Sequence, residues 1–395
     1  MGNLKFHVTA QEKNARAGKL TLQHGTISTP DLMPVATKAT VKALSVDDLK
    51  ELGVQILICN TYHLMLQPNE EVVCSLGGLH RFMNWDKPLV TDSGGFQAFS
   101  LGLGKEHRVG KLFFPGKKPA NHKPVGNAIA KVDDNGISFR SIYDNSHQYL
   151  TPEKSIDIQQ KLGADMILVL DECTSPLSNK QYTKQSMQRT HLWAQRCYES
   201  HTTDQALIGI VQGGHWEDLR KQSAAHIASI DFDGYAIGGS LGKSKEDMHH
   251  VLEWVCPYLP DDKPRHLLGI GVVEDIFESV ERGVDLFDCV SPTRNARSGY
   301  AHLRPPLGTK QNKFRFKISS TKYNMDSQPL DPHCDCKVCT QYSRAYVHHL
   351  LKAEEMLGFT LISYHNVAFM AYVMSEIRKS IKEGTFNKLK RMWIG

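Results

Sequence analysis

No apolar run in these 395 residues approaches the ~20 needed to cross a bilayer, so membrane insertion is not expected. The N-terminal stretch MGNLKFHVTAQEKNARAGKL has neither a sustained apolar core nor a small-residue cleavage site. It does not read as a secretion signal, and the expected compartment is the cytosol. Cysteine lacks any pairing pattern: six of the nine stand singly (Cys59, Cys74, Cys173, Cys197, Cys256, Cys289) and three cluster as Cys334, Cys336 and Cys339. A disulfide framework is therefore not expected. Neither sign of charge dominates overall, but the net +5 hides an asymmetry. Residues 290–395 hold 17 Lys+Arg against 7 Asp+Glu, which leaves the first 289 residues acidic. A polyanion would be met by the C-terminal quarter.

Eight short apolar runs recur along the chain: PDLMPV (30–35), VQILICN (54–60), PLVTD (88–92), DMILVLD (165–171), ALIGIVQ (206–212), GYAIGG (234–239), HLLGIG (266–271) and LFDCV (286–290). Between most of them lie segments with helical spacing, such as 46–53, 152–163, 215–229 and 246–259. Strand and helix alternating eightfold predict an α/β fold, a closed (β/α)₈ TIM barrel with insertions, over the alternative of an open doubly wound sheet. The barrel is assigned to residues 1–300. Within it, an insertion near 104–143, lysine-rich over 104–136, reads as part hairpin and part mobile loop. Residues 301–395 leave the barrel rhythm and read as a metal-binding subdomain closed by two helices, near 341–357 and 365–383.

Polar residues and glycines gather just past the strands, at Asn60 to His63, Asp92-Ser93-Gly94-Gly95, Asp171-Glu172-Cys173, Gln212-Gly213-Gly214, Gly238-Gly239-Ser240, Gly269-Ile270-Gly271 and Asp288. In a barrel these positions converge on one mouth, where such folds keep their active sites. Helix caps alone do not put carboxylates, an amide and paired glycines at so many strand ends. Two carboxylates facing one anomeric carbon can divide its chemistry, one attacking while the other handles the leaving group's proton; Asp288 and Asp92 are the candidates. Asp171 and Gln212 can read the edge of a purine, although the same set suits a sugar or a metal. Arg294 and Arg297, just beyond Asp288, can hold phosphates flanking the reacting nucleotide. The spacing C-x-C-x-x-C with a downstream histidine satisfies tetrahedral zinc and leaves no open position, so one structural Zn²⁺ per chain is expected. The fourth ligand is open among His333, His348, His349 and His365.

TPDLMPVATKATVKAL (29–44), NTYHLMLQP (60–68), TDSGGFQ (91–97), LDECT (170–174), IVQGG (210–214), GYAIGG (234–239), FDCVSPTR (287–294), CDCKVC (334–339) and SRAYVHHLL (343–351) together resemble the signature blocks of the tRNA-guanine transglycosylases. The likeness runs from about Phe6 to Lys390. It implies a zinc-containing barrel that forms a homodimer and exchanges guanine at the wobble position of tRNAs with GUN anticodons for a 7-deazaguanine base. The resemblance makes Asp288 the nucleophile and Asp92 the general acid/base. Asp171, Gln212 and Gly239 would read the base, with Ser93 and Cys173 beside them. Phe96 and Leu268 would sandwich it, where many relatives carry Tyr and Met. Cys334, Cys336, Cys339 and His365 match the family's zinc ligands. Glu172-Cys173 is similar to the bacterial branch, and the additional C-terminal RNA-binding domain of the archaeal branch is not expected. The segment Gly238 to Lys243 is shorter than the bacterial pattern and lacks its valine. The pocket it borders is therefore expected to have room for queuine as well as its aminomethyl precursor. A non-catalytic partner subunit, or a metal-dependent hydrolase with histidines converging on the mouth, would be the competing functions; His63 is the one obvious histidine there.

Overall fold

The computed structural model describes residues 3–97 and 130–395. Each of the eight apolar runs overlaps a strand. Asp31–Ala36, Leu57–Cys59, Leu89–Thr91, Met166–Leu168, Ala206–Val211, Gly234–Ile237, Arg265–Leu267 and Leu286–Cys289 pair in that order, all parallel. The eighth then pairs with the first, Leu286 opposite Asp31 and Asp288 opposite Met33. That closure excludes the doubly wound alternative, and every strand's C-terminal end opens on the same mouth.

The helices between the strands begin and end where local chemistry dictates. Pro152–Leu162 starts behind Thr151, whose side chain accepts from Lys154 N–H, has proline in its first turn and stops at left-handed Gly163. Its Gln159 then accepts from Leu168 N–H at 3.0 Å and donates to the Leu168 carbonyl at 2.9 Å, locking the helix onto the fourth strand. Lys245–Val255 opens with a reciprocal Ser244–Asp247 capping box. At the floor, opposite the mouth, an antiparallel sheet of Lys5–Glu12, Ala15–Leu22 and Gly25–Thr29 supplies Arg16, which is buried. Its guanidinium makes a two-point bond to Asp285, immediately before the eighth strand, at 3.0 and 2.5 Å.

Between the third and fourth barrel strands, Ala130–Val132 and Ile137–Arg140 pair as an antiparallel hairpin within the insertion, and His147–Leu150, beyond its expected end at 143, adds a third strand. The rest of the lysine-rich stretch, up to residue 129, lies outside the described residues.

The two expected C-terminal helices are Arg344–Lys352 and Met356–Lys382, and a further one that was not expected, Phe386–Ile394, follows them. The second begins nine residues earlier than expected, so His365 sits inside it and does not open it. Gly358 and Thr360 are poor helix formers, but Gly358 lets the helix close on its predecessor: a Cβ there would meet Leu350 Cβ at 3.0 Å. Packing overrides propensity. By length and composition this helix could span a bilayer, yet two-thirds of its apolar window is buried inside the protein. Its Asn366 donates to the carbonyls of Pro292 and Tyr300 and accepts from His302 N–H, which ties it to the segment following the eighth strand.

Candidate active site

The mouth of the barrel encloses a cavity of about 490 Å³. Ile58, Leu168 and Ile210, from the second, fourth and fifth strands, form its apolar lining. Asp92, Ser93, Phe96, Asp171, Cys173, Gly239, Leu268, Asp288 and Arg294 all border it. Gln212 stands behind them, buried, and its Nε2 donates to Asp171 Oδ2 at 2.6 Å. Ser93 Oγ donates to the other Asp171 oxygen at 3.3 Å. Arg297 is placed differently from Arg294. Its guanidinium turns back to the Thr293 carbonyl of its own helix, Ser291–Arg297, at 2.9 Å, and only Arg294 borders the cavity.

Asp92 follows the third strand, where the chain leaves the sheet and its side chain faces the mouth. Thr61 N–H and Gly94 N–H donate to Oδ1 at 3.0 and 3.1 Å, while Asn60 Nδ2 and Gln97 Nε2 donate to Oδ2 at 2.6 and 3.2 Å. Burial nonetheless pushes this carboxyl up to about 7, and the charge of Asp288 adds to the rise against those hydrogen bonds. A carboxyl titrating near neutrality can both give and take a proton. Asp288, at the end of the eighth strand, is held through Oδ1 by His266 Nε2 at 2.9 Å and Gly269 N–H at 2.8 Å.

The loops around Asp171 and Gln212 are built for close approach. Gly239 has φ of 75°, and a Cβ there would lie 2.0 Å from Gln212 Oε1, so only glycine fits beside the amide. Gln212 Oε1 is itself buried without a hydrogen-bond partner among the described residues, an acceptor left for a ligand donor. Glu172 points elsewhere: it pairs with Arg189 and accepts from Tyr182 Oη at 2.6 Å, anchoring the loop that presents Asp171 and Cys173.

Three contributors were not singled out from the sequence. His266 lies in a strand that otherwise reads as apolar core; its parity with Leu268, which faces the cavity, is the signal that could have marked it. It stands behind Asp288, whereas His63 lines the cavity, and burial and the charges of Lys38 and Lys42 hold the His63 imidazole below its ordinary value. Asn60 was noted only as part of a polar strand end. Arg220 looks like a solvated helix charge, yet it is fully buried and donates to the carbonyls of Gly214, Val211, Gly238 and Ser240 at 2.6 to 3.0 Å. It braces both glycine loops at once.

Among the described residues, the groups close enough to share a metal ion are Cys334-Cys336-Cys339-His365 and His24-His80-Asp165, and neither is at the mouth. In the first, His365 Nδ1 lies 3.3 Å from Cys339 Sγ and 3.7 Å from Cys336 Sγ. His365 Nε2 lies 2.8 Å from the His302 carbonyl, which can only accept. Nε2 therefore carries the hydrogen, and the Nδ1 lone pair faces the sulfurs, the arrangement a metal-binding histidine needs. Arg304 donates to Cys334 Sγ at 3.6 Å. Three sulfurs and one imidazole nitrogen fit a soft tetrahedral ion. Lys337, inside the cluster, bonds Asp48 and Glu51 at 2.8 and 2.7 Å and so fastens the centre to the helix Val46–Glu51.

A family model for queuine tRNA-ribosyltransferase matches residues 11–395. A protein of Archaeoglobus fulgidus is 48% identical over 99% of each chain. The queuine tRNA-ribosyltransferase of Roseiflexus sp. is 44% identical over 99% of each chain, and that of Fusobacterium nucleatum is 43% identical over 98% of this chain and 97% of its own. With a closed barrel, paired carboxylates at its mouth and full-length likeness of this order, the chain belongs to the queuine tRNA-ribosyltransferase family, a family of pentosyltransferases.

Proposed function

We propose that the protein exchanges guanine at the anticodon wobble position of GUN tRNAs for a 7-deazaguanine base through a covalent aspartyl-ribosyl RNA intermediate. The observation that carries this reading is the convergence of Asp92, Asp288 and the Asp171–Gln212 pair on one cavity. An Asp288 carboxylate oxygen bonds to ribose C1′ as the C1′–N9 bond breaks, and the departing guanine takes its N9 proton from Asp92. The incoming base returns a proton to Asp92, its nitrogen bonds to C1′, and the Asp288 carboxylate leaves. Asp171, Gln212 and the Gly239 backbone read the base edge, with Ser93 and Cys173 beside them and Phe96 and Leu268 against its faces. We include in the same reading a homodimer, a cytoplasmic location, and a division near residue 300 between barrel and metal-binding subdomain.

The test is incorporation of labelled guanine into tRNA. Exchange into a GUN-anticodon tRNA, and none into the same tRNA with its wobble guanine replaced, is expected; no exchange, or exchange without that guanine, would overturn the reading. Supplying queuine and the aminomethyl-deazaguanine separately to one tRNA reports the incoming base. Acceptance of queuine is expected, because glycine borders Leu241 where the bacterial pattern has a branched valine.

Arg294 and Arg297 supply phosphate contacts in this reading. The double alanine variant is expected to weaken tRNA binding and flatten its salt dependence by about 1 to 2 in log–log slope, with free-guanine affinity unchanged. Arg294→Ala should account for most of the loss, since Arg297 is turned onto Thr293. An unchanged salt slope in the double variant would remove the phosphate role.

For the metal centre we propose zinc, held by Cys334, Cys336, Cys339 and His365 and remote from the reacting base. Four protein ligands close its sphere, so when bound it stabilises the fold and takes no part in base exchange. About one zinc per chain is expected. Cys336→Ser should lose most of that metal and melt several degrees lower. Full zinc content with parental melting in that variant would show the centre to be misassigned.

A further inference from the structure

The His266 side chain is almost wholly buried, with Nε2 2.9 Å from Asp288 Oδ1, and its Nδ1 has no hydrogen-bond partner among the described residues. A proton on Nδ1 would be a buried donor without an acceptor, which is costly, whereas a proton on Nε2 lies against a carboxylate. The favoured ring is therefore the neutral Nε2–H tautomer, donating to Oδ1. Gly269 N–H donates to the same oxygen at 2.8 Å. We infer that His266 is a positioning residue that holds Asp288 Oδ1 as a hydrogen-bond acceptor and sets how readily the covalent intermediate is discharged. This inference rests on the reading of Asp288 as nucleophile.

The consequence follows from where the charge sits. Before attack, Oδ1 belongs to an anion and the His266 bond is charge-assisted. In the aspartyl-ribosyl ester it is a neutral carbonyl oxygen, and the same bond is about half as strong. The donor therefore stabilises the free carboxylate more than the ester, which makes Asp288 a milder nucleophile and a better leaving group. A neutral donor does this without cancelling the negative charge that attack requires. Removing it shifts the balance towards the ester by about 5- to 10-fold.

The experiment measures the fraction of enzyme carrying RNA on a denaturing gel as guanine is added, together with the mass of the linked peptide. In H266F, which keeps a ring but no donor, the guanine concentration that discharges half the adduct should rise about 5- to 10-fold. H266Q, whose amide nitrogen can reach the place of Nε2, should return it towards the parental value. Should H266F not fold, H266N, too short to reach Asp288, takes its place. Damage to the site without this role lowers the adduct and does not raise it. A parental or lower half-discharge concentration in the donorless variant, or an equal rise in H266Q, overturns the role of His266 while Asp288 stands. An adduct on a residue other than Asp288, or no adduct in the parent protein, overturns the nucleophile assignment and the inference with it.

Discussion

Asp288→Ala is expected to lower base exchange by at least about 10⁴-fold and to abolish covalent capture of RNA, since no other group takes over bond formation to ribose. The protein should still fold. Asp288 borders the cavity, so water can reach the His266 and Gly269 donors that the substitution leaves behind. Melting near that of the parent would separate lost chemistry from lost structure. Asp288→Asn keeps the shape and one acceptor oxygen but is no longer an anionic nucleophile, so it should be as inactive as alanine. Asp288→Glu adds a methylene and moves the oxygens out of reach of Gly269 N–H, so weak residual exchange is expected. Turnover at the parental rate in the alanine variant, or RNA still trapped on it, would remove Asp288 from the mechanism.

The barrel was legible because its strands are buried on both faces and so stand out as short apolar runs broken by amphipathic helices. The mouth was legible for a related reason: the polar residue that ends a buried strand has few structural reasons to be there. What stayed hidden had an ordinary local appearance. His266 opens an apolar run, HLLGIG, and only the neighbouring eighth strand, which brings Asp288 alongside, gives it a role. Arg220 falls in a charged helical stretch, and its burial depends on four carbonyls supplied by the ends of two strands. The start of the helix Met356–Lys382 was missed because Gly358 lowers propensity while its packing on Leu350 restores the helix. Arg294 and Arg297 read as an equivalent pair, but a helix turn between them sends the second back onto its own backbone.

These details also show how distant parts of the chain bear on the mouth. Asn366 lies next to His365 on one helix and grips the carbonyls of Pro292, in the first turn of the helix that presents Arg294, and of Tyr300, just beyond that helix's end. The Cys–His centre is thereby coupled to the segment following Asp288 without approaching the cavity. Losing metal should consequently disturb RNA positioning more than recognition of a free base.

Asp92→Asn is expected to slow exchange by about 10²- to 10⁴-fold, the usual contribution of a positioned acid or base. The amide can still occupy the shell of Asn60, Thr61, Gly94 and Gln97, at the cost of turning one donor against them. Its pH behaviour is the sharper test. With the Asp92 carboxyl pushed up to about 7, guanine release, which needs the protonated form, should fall as pH rises through neutrality. In the proposed aspartyl-ribosyl intermediate the negative charge of Asp288 is gone, one cause of that rise is removed, and Asp92 becomes the stronger acid, ready to accept the incoming base's proton. Discharge of the intermediate should therefore fall at low pH, on a limb lying below that of guanine release. Stability falls with rising pH as guanine release does, and opposite to discharge of the intermediate. A carboxyl whose folded value is raised contributes stability that is fully present below its ordinary 3.8 and is lost as pH rises through about 7. The asparagine variant lacks this loss, so at pH 8 it should be the more stable protein, by at most about 4 kcal/mol and less because water reaches the carboxyl through the cavity. Parallel melting curves from pH 5 to 8 for the two proteins would show that Asp92 is not held protonated. Equal exchange rates would take it out of the proton transfer altogether.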